Sequence, residues 1–279
     1  MQSNYFALIM AGGQGTRFWP WSTAEKPKQF LAVIGKRPLI TQTYQRLQRF
    51  IPAKNIFVIA DKKYLLAVRE CLPGFSRQNF IAEPAPRNTA PALIQANIFL
   101  SRIDPGASLL VVPADHHIAD EKTFAKQLSA ALAYARNRCI ITAGIKPSEP
   151  HTGYGYIQFI EGKGGGRDSL GFFPIKQFKE KPDQATAVKY LRKGNFYWNS
   201  GMFIYKIAFF RISMTCLTCC NFPMGAIKMP FSVSITATLS RPMTASGFFS
   251  LENNSEFRVS MAMVRPRRTF FSASFSFIS

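Results

Sequence analysis

Short, wholly apolar segments alternate with amphipathic segments over the first half of this chain. Each apolar segment has the length of a β-strand, and each amphipathic one carries its apolar residues at helical spacing. Strands that are apolar on both faces are typical of a parallel sheet covered by helices on its two sides. We therefore predict an α/β fold in which helices connect the strands of a mostly parallel sheet. The predicted strands are Tyr5–Met10, Asn55–Ala60, Asn79–Ala82, Ser108–Val112 and Cys139–Ala143, and the predicted helices are Pro38–Phe50, Tyr64–Cys71, Asn88–Ile103 and Phe124–Asn137.

A different pattern begins at Tyr154. Two extended pieces, Tyr156–Ile160 and Pro174–Phe178, come before a predicted helix over Asp183–Arg192 and a predicted strand over Phe196–Tyr205. This order of elements predicts a second, smaller lobe of mixed strands that lies against the first.

The segments that follow the predicted strands are the places to look for chemistry, because ligands of open α/β sheets bind where loops leave the carboxyl ends of strands. Three such segments are polar and rich in glycine or proline: Ala11–Phe30, Glu83–Pro91 and Pro113–Ile118. We expect the functional residues of the main sheet in these three segments.

The first of these segments begins with Ala-Gly-Gly-Gln-Gly-Thr-Arg, which we name the glycine segment (residues 11–17). Glycines let backbone N–H groups approach a phosphate chain, and Arg17 and Lys28 could add positive charge. The segment lacks the Gly-Lys-Ser/Thr ending of a P-loop, and the third glycine of the dinucleotide-binding pattern would fall on Phe18. A glycine cluster also occurs in plain turns, so on these residues alone both interpretations stay open.

The net charge of +20 would by itself favour a polyanionic partner such as nucleic acid. The charge is uneven, with 28 basic and 13 acidic side chains in residues 1–206 against 7 and 2 in residues 207–279. Since no recognition helix or base-stacking motif accompanies it, a nucleic-acid-binding protein is the weaker alternative and we expect no nucleic-acid partner.

No apolar run reaches the roughly 18 residues of a membrane span, and the N-terminus has no secretory pattern. We expect a cytoplasmic protein without a membrane partner.

Five cysteines form no even disulfide framework. We expect buried free thiols at Cys71 and Cys139, which lie in a predicted helix and strand. The group Cys216, Cys219 and Cys220 has the spacing of half a metal site, but no second cysteine pair or nearby histidine completes four ligands.

Six sequence blocks, in order along residues 5–205, resemble the signature of sugar-1-phosphate nucleotidyltransferases. The version with Trp-Pro-x-Ser and Pro-Lys-Gln-Phe is similar to the mannose-1-phosphate guanylyltransferase branch of that family. The blocks are Gly12–Ser22 with Pro27–Leu31, Glu83–Pro91, Pro113–Ile118, Thr152–Ile157, Phe178–Pro182 and Trp198–Phe203.

The resemblance implies a Rossmann-like, glycosyltransferase-A-like main sheet with a small sugar-binding lobe of mixed strands. It also implies transfer of GMP from GTP to mannose 1-phosphate, with Mg2+ as cofactor and GDP-mannose and pyrophosphate as products. Two anions must be brought together in this reaction, so positioning and charge neutralisation are expected to dominate over acid–base work. Assembly into a homo-oligomer is left open.

The resemblance also assigns site residues, which fall into three groups. The catalytic residues are Arg17, Lys28 and Asp115, and Asp115 is the Mg2+ ligand. The nucleotide-binding residues are Ala11, Gly12, Gly13, Gly15, Thr16, Arg17, Arg87, Asn88 and Thr89. The sugar-phosphate-binding residues are Tyr154, Gly155, Glu180, Lys181 and Asn199.

Each of these motifs also has a simpler interpretation. Asp115-His116-His117 could be a strand-end turn or a DHH-type phosphoesterase motif, although the chain offers few further ligands for the latter. We assign His116 and His117 a supporting or structural role. Asn88 or Thr89 could simply cap a helix, and Glu180-Lys181-Pro182 alone would be a solvated turn.

The resemblance is lost after about residue 205. Residues 207–279 contain 12 Ser, 11 Phe, 6 Met and no Asp, and the family's second acidic metal-binding segment is not found. We therefore predict a nucleotidyltransferase domain over 1–206, incomplete at its C-terminal end, followed by an aberrant, poorly folded tail over 207–279 that a frameshift would explain. A divergent but functional tail is the alternative, and a catalytically impaired nucleotide-binding remnant is the alternative to an active enzyme.

Overall fold

We describe the fold from a computed structural model, which covers residues 5–13, 19–23, 25–84, 89–135, 139–160 and 172–208 and the backbone of two further strands. Within these residues, ten strands form one sheet and five α-helices pack on it. The strands are β1 (Tyr5–Met10), β2 (Ile56–Asp61), β3 (Phe80–Glu83), β4 (Ser108–Pro113), β5 (Ile140–Ile145), β6 (Tyr156–Phe159), β7 (Ile175–Lys179), β8 (Phe196–Lys206), β9 (Ser234–Thr238) and β10 (Arg258–Ala262). The helices are α1 (Leu39–Gln48), α2 (Leu65–Cys71), α3 (Thr89–Ser101), α4 (Glu121–Tyr134) and α5 (Gln184–Lys193).

The strands β3, β2, β1 and β4 lie side by side in that order and are all parallel. The middle strand β1 is buried on both of its faces, which explains why its sequence is apolar throughout. Phe6 and Leu8 pack in the cluster that includes residues of α3, whereas Ala7 and Ile9 pack with residues of α1, α2 and α4. The two-sided cover predicted from the sequence is therefore confirmed.

The long strand β8 belongs to both parts of the fold. It is inserted between β4 and β5, antiparallel to both, and its first residues also pair with β6. The sequence pattern placed this strand in the smaller lobe alone. The structure shows that one continuous strand connects the smaller lobe, with β6, β7 and α5, to the main sheet.

Two short strands lie in the segment that we expected to be poorly folded. β9 pairs in parallel with β5, and β10 pairs with β9 in antiparallel orientation. Ile207 is buried and its N–H donates to the Ala107 carbonyl at 3.0 Å. Residues 209–233, 239–257 and 263–279 lie outside the described residues, and the domain boundary at residue 206 stays a prediction.

Cys71 and Cys139 are free thiols, as predicted, and burial raises the pKa of Cys139 to about 12. The three remaining cysteines lie outside the described residues: Cys216, Cys219 and Cys220. Among the described helices, none is long and apolar enough to cross a membrane.

The ladder between β5 and β8 is irregular, and two buried hydroxyls stabilise the irregularity. The register shifts between Thr142 and Gly144 of β5. The Ser200 hydroxyl donates to the Ala143 carbonyl at 2.6 Å, and the Thr142 hydroxyl donates to the Met202 carbonyl at 2.8 Å. Between Ser200 and Met202 of β8, the backbone adopts a left-handed conformation at one residue.

That left-handed residue is Gly201, whose φ is +70°. We expect Gly201→Ala to lower the free energy of unfolding by about 1–2 kcal/mol, because a Cβ disfavours this conformation. Steric contact adds little, since a Cβ there would lie 3.5 Å from Cγ of Pro113. Urea denaturation would measure the change, and Gly201→Asn is the control, since Asn tolerates the left-handed region. Equal losses in both variants would contradict the conformational explanation.

Candidate functional site

The carboxyl ends of β1, β2 and β4 meet at one edge of the sheet. The N–H of Ala11, directly after β1, donates to the Ile59 carbonyl of β2 at 2.9 Å. On the other side, the N–H of Ala114 donates to the Met10 carbonyl at 3.0 Å. The start of the glycine segment therefore lies between the ends of β2 and β4, where ligands of such sheets bind.

A buried glutamine holds the first residues of the glycine segment in place. Gln29 is 2% exposed, and its Nε2 donates to the carbonyls of Ala11 at 2.7 Å and Gly13 at 3.2 Å. From the sequence, Gln29 belongs to the Pro27–Leu31 block but has no predicted role. The available signal was a glutamine directly before an apolar residue, Phe30. A glutamine that is buried with such a neighbour needs hydrogen-bond partners for its amide.

Lys28, next to Gln29, forms an ion pair with Asp115. The pair joins Lys28 Nζ to Asp115 Oδ2, and the two side chains are 27% and 20% exposed. Burial acts to raise the pKa of Asp115, but the charge and hydrogen bond of Lys28, together with weaker contributions from His116 and the backbone, hold that pKa below its usual value. The Asp115 carboxylate is therefore ionised at neutral pH beside a fixed positive charge. Two of the three predicted catalytic residues thus lie together.

The histidine after Asp115 is buried and neutral. Burial lowers the pKa of His116 to about 4, against the opposing effect of the Asp115 charge. His117 is partly buried. In the part of the chain that the structure describes, no group of three or more His, Cys, Asp or Glu side chains could hold a metal ion.

A second carboxyl group, Glu83, lies against the glycine segment at the end of β3. It is 8% exposed, and a Cβ on Gly12 would come within 2.8 Å of Glu83 Oε2. Burial raises the pKa of Glu83, and the charge of Asp61, its register partner on β2, acts in the same direction. In the sequence, Glu83 is marked only as the first residue of the Glu83–Pro91 motif.

The predicted sugar-phosphate residues meet at one end of the smaller lobe. Tyr156 of β6 is in register with Lys179 of β7 and with Trp198 of β8, so the residues that precede β6 and follow β7 share that end. The N–H of Asn199 donates to the Gly155 carbonyl at 2.8 Å. The structure thus brings together all five residues of this group: Tyr154, Gly155, Glu180, Lys181 and Asn199.

Aromatic contacts hold Tyr154 at this end. Its ring stacks on the ring of His151 with centroids 3.9 Å apart, and it meets the edge of Trp198 at 5.2 Å. The Gly153 N–H donates to Nδ1 of His151 at 2.9 Å, which fixes the orientation of the imidazole. The same strand β8 runs beside the end of β4, where Gly201 faces Pro113.

Several predicted site residues lie outside the described residues: Gly15, Thr16, Arg17, Arg87 and Asn88. Thr89 is described and is the first residue of α3, so the helix begins within the Glu83–Pro91 motif. The helix is tied back to β3 by Gln95, whose Nε2 donates to the Ala82 carbonyl at 2.7 Å.

Residues 6–214 match the nucleotidyl transferase family, and the chain belongs to that family. Over 209 residues, it is 40% identical to mannose-1-phosphate guanylyltransferase of Escherichia coli K12. The aligned region covers 74% of this chain and 43% of that protein. Over 206 residues, it is 39% identical to the xanthan biosynthesis protein XanB of Xanthomonas campestris pv. campestris B100, covering 73% of this chain and 42% of that protein. The chain spans less than half the length of these curated relatives.

A solved structure supports the same assignment. A Thermus thermophilus protein described as a mannose-1-phosphate geranyltransferase has a TM-score of 0.67 and 30% identity. The match covers 76% of this chain and 60% of that chain. The family resemblance and the fold class expected from the sequence are both confirmed.

We expect Gly12→Ala to destabilise the protein by about 1 kcal/mol, because its Cβ would push the buried Glu83 carboxyl aside. In a Glu83→Ala background the same substitution should cost nothing, and a double-mutant cycle of urea midpoints would measure the coupling. Gly13→Ala is the control, since nothing lies within 4 Å of a Cβ there. An equal loss from both alanine variants would contradict this explanation.

We expect Glu83→Gln to stabilise the protein increasingly as the pH rises. The folded-state pKa of Glu83 lies above its ordinary 4.5, so its contribution to stability is complete below that value and is lost as the pH rises through the folded-state pKa. Glutamine does not titrate, so the melting temperature of the variant should rise relative to that of the wild type as the pH increases above 4.5. A difference independent of pH would refute the assignment.

Proposed function

We propose that this chain transfers GMP from GTP to mannose 1-phosphate, releasing pyrophosphate and forming GDP-mannose. The observation that carries the proposal is the Lys28–Asp115 ion pair, next in the chain to Gln29, which holds the start of the glycine segment. A cation and an ionised carboxylate at the end of parallel strands suit a triphosphate and its metal. The names of the relatives supply the identity of base and sugar.

For the nucleotide, we assign binding of the phosphate chain to Gly12, Gly13 and Lys28. The backbone N–H groups of a glycine segment can approach phosphate oxygens closely, and the ammonium neutralises their charge. The assignment extends to further residues of the glycine segment and of the motif at the start of α3: Ala11, Gly15, Thr16, Arg17, Arg87, Asn88 and Thr89.

For the cofactor, we propose that Asp115 holds Mg2+ together with phosphate oxygens of GTP. Mg2+ commonly binds through one or two carboxylates plus substrate phosphates, and a single ionised carboxylate fits that donor set. When bound, the ion supplies neutralisation of the charge on the triphosphate. Lys28, which pairs with Asp115 in this structure, would then contact the phosphates.

For the acceptor, we assign mannose 1-phosphate to the end of the smaller lobe. A Glu180 carboxylate can accept two sugar hydroxyls, and the adjacent Lys181 can meet the phosphate. Tyr154, Gly155 and Asn199 complete the assignment, since the hydrogen bond between the last two joins β6 to β8 at this end.

In the proposed reaction, a phosphate oxygen of mannose 1-phosphate attacks the α-phosphorus of GTP. A new P–O bond forms, and the bond from the α-phosphorus to the bridging oxygen of the β-phosphate breaks, so that pyrophosphate leaves. The residues of this chain contribute position and positive charge, and the reaction needs no side chain to act as a base. A cytoplasmic location belongs to this proposal, and assembly into a homo-oligomer stays open.

We expect the purified chain to release pyrophosphate when it is given GTP, mannose 1-phosphate and Mg2+. Lys28→Met should lower kcat/KM by about 100- to 1000-fold, because it removes a cation from the phosphates while keeping the stem of the side chain. Lys26→Met is the matched control, since Lys26 is an exposed lysine two residues away. A coupled pyrophosphate assay measures the rates, and chromatography identifies the nucleotide sugar.

Different results would reject different parts of the proposal. GTP binding without pyrophosphate release would favour the impaired nucleotide-binding remnant. A preference for UTP or dTTP, or for glucose 1-phosphate, would overturn the base or the sugar. Equal activity of Lys28→Met and Lys26→Met would remove Lys28 from the site.

A further inference from the structure

Two side chains of α1 hold the backbone on either side of Asp115. The Thr43 hydroxyl donates to the carbonyl of Ala114 at 3.2 Å, and Nη2 of Arg46 donates to the carbonyl of His116 at 3.3 Å. The two donors are three residues apart and therefore lie on the same face of the helix. They contact the carbonyls of the residues immediately before and after Asp115.

Both donors are buried, with exposures of 1% for Thr43 and 2% for Arg46. Hydrogen bonds in such surroundings are costly to break, because a buried carbonyl without a partner loses its solvation. The Ala114 peptide is held from its other side too, since its N–H donates to the Met10 carbonyl. The main chain next to Asp115 is therefore attached to both α1 and β1.

The charge of Arg46 is in turn compensated by α4. Its Nε lies 3.5 Å from Oε1 of Glu121, and its guanidinium lies 5.8 Å from the centre of the Phe124 ring. Burial lowers the pKa of Arg46 to about 10, against the opposing charge of Glu121, so the guanidinium stays protonated at neutral pH. Arg49 also contacts Glu121, at 2.5 Å. The buried, protonated guanidinium of Arg46 is therefore a charged donor to the His116 carbonyl.

We propose that Thr43 and Arg46 are positioning residues for Asp115: by holding the carbonyls on its two sides, they fix the direction of its carboxylate towards the nucleotide site. The inference rests on the proposed function, in which Asp115 holds Mg2+. It concerns residues outside every motif that carried the family resemblance, since both lie in a helix that the sequence marked only by its apolar spacing.

Loss of this positioning would weaken the effect of Mg2+ on GTP binding, which can be measured without turnover. The ratio of GTP affinity in excess Mg2+ to that in EDTA, obtained by calorimetry without mannose 1-phosphate, reports the contribution of the metal. Groups that orient a metal ligand typically contribute about 10- to 100-fold to metal affinity. We expect Thr43→Val, which removes the hydroxyl and keeps the shape, to lower the ratio by about tenfold, and Thr43→Ser to restore it.

Thr41→Val is the matched control. Thr41 lies on the same helix, and its hydroxyl donates to the Cys71 carbonyl at 2.8 Å, away from Asp115. We expect this variant to lose a similar amount of stability and to keep the wild-type ratio. Arg46→Lys is a second test, since lysine keeps the charge but not the planar fork, and it should also lower the ratio.

Hydrogen exchange adds a readout that needs no ligand. The peptide covering residues 113–118 should exchange faster in Thr43→Val than in the wild type or in Thr41→Val. Suppose that Mg2+ strengthens GTP binding by the wild type. The positioning role is then wrong if Thr43→Val keeps the wild-type ratio, or if Thr41→Val lowers the ratio as much as Thr43→Val does. If Mg2+ has no effect on GTP binding by the wild type, the proposed role of Asp115 fails first, and this inference fails with it.

Discussion

Backbone hydrogen bonds on both sides of β1 determine where the candidate site lies. Because β1 pairs in parallel with β2 and β4, the segments that leave the carboxyl ends of these strands meet at one edge. Loops at such an edge cannot satisfy their own carbonyl groups by sheet pairing, so buried side chains must do it. Gln29 does this for Ala11 and Gly13 at the start of the glycine segment, and Thr43 and Arg46 do it for the residues on either side of Asp115. The positions of the functional groups therefore depend on polar side chains buried below them.

The two carboxyl groups at this edge have opposite electrostatic environments. Lys28 stabilises the ionised form of Asp115, whereas burial and the charge of Asp61 destabilise the ionised form of Glu83. A desolvated carboxylate lowers the stability of a fold, and such groups are concentrated in binding sites, where a ligand can compensate them. Gly12 belongs to the same arrangement, because any larger residue would displace the Glu83 carboxyl.

The strand β8 is shared by the smaller lobe and the main sheet. Its first residues pair with β6, its later residues pair with β4, and β5 pairs along it from Trp198 to Tyr205, so one continuous strand carries Asn199 and also borders the end of β4. The irregularity at Gly201, supported by Ser200 and Thr142, lies between these two parts. The segments proposed for the acceptor and for the nucleotide are therefore connected by a strand in which two buried hydroxyls bond the backbone.

The sequence by itself determined the elements and the chemistry of the motifs. Apolar periodicity reports burial on one or two faces, so Tyr5–Met10 was predicted with the bounds that the structure has, and strand-end position pointed to Asp115. The insertion of β8 between β4 and β5 was decided only in the tertiary structure, because pairing partners leave no trace in local periodicity. The same holds for Gln29, Thr43 and Arg46. Their residue types occur anywhere on a polar surface, and only folding places them beneath the carbonyls they hold, since hydrogen bonds between distant segments depend on three-dimensional proximity.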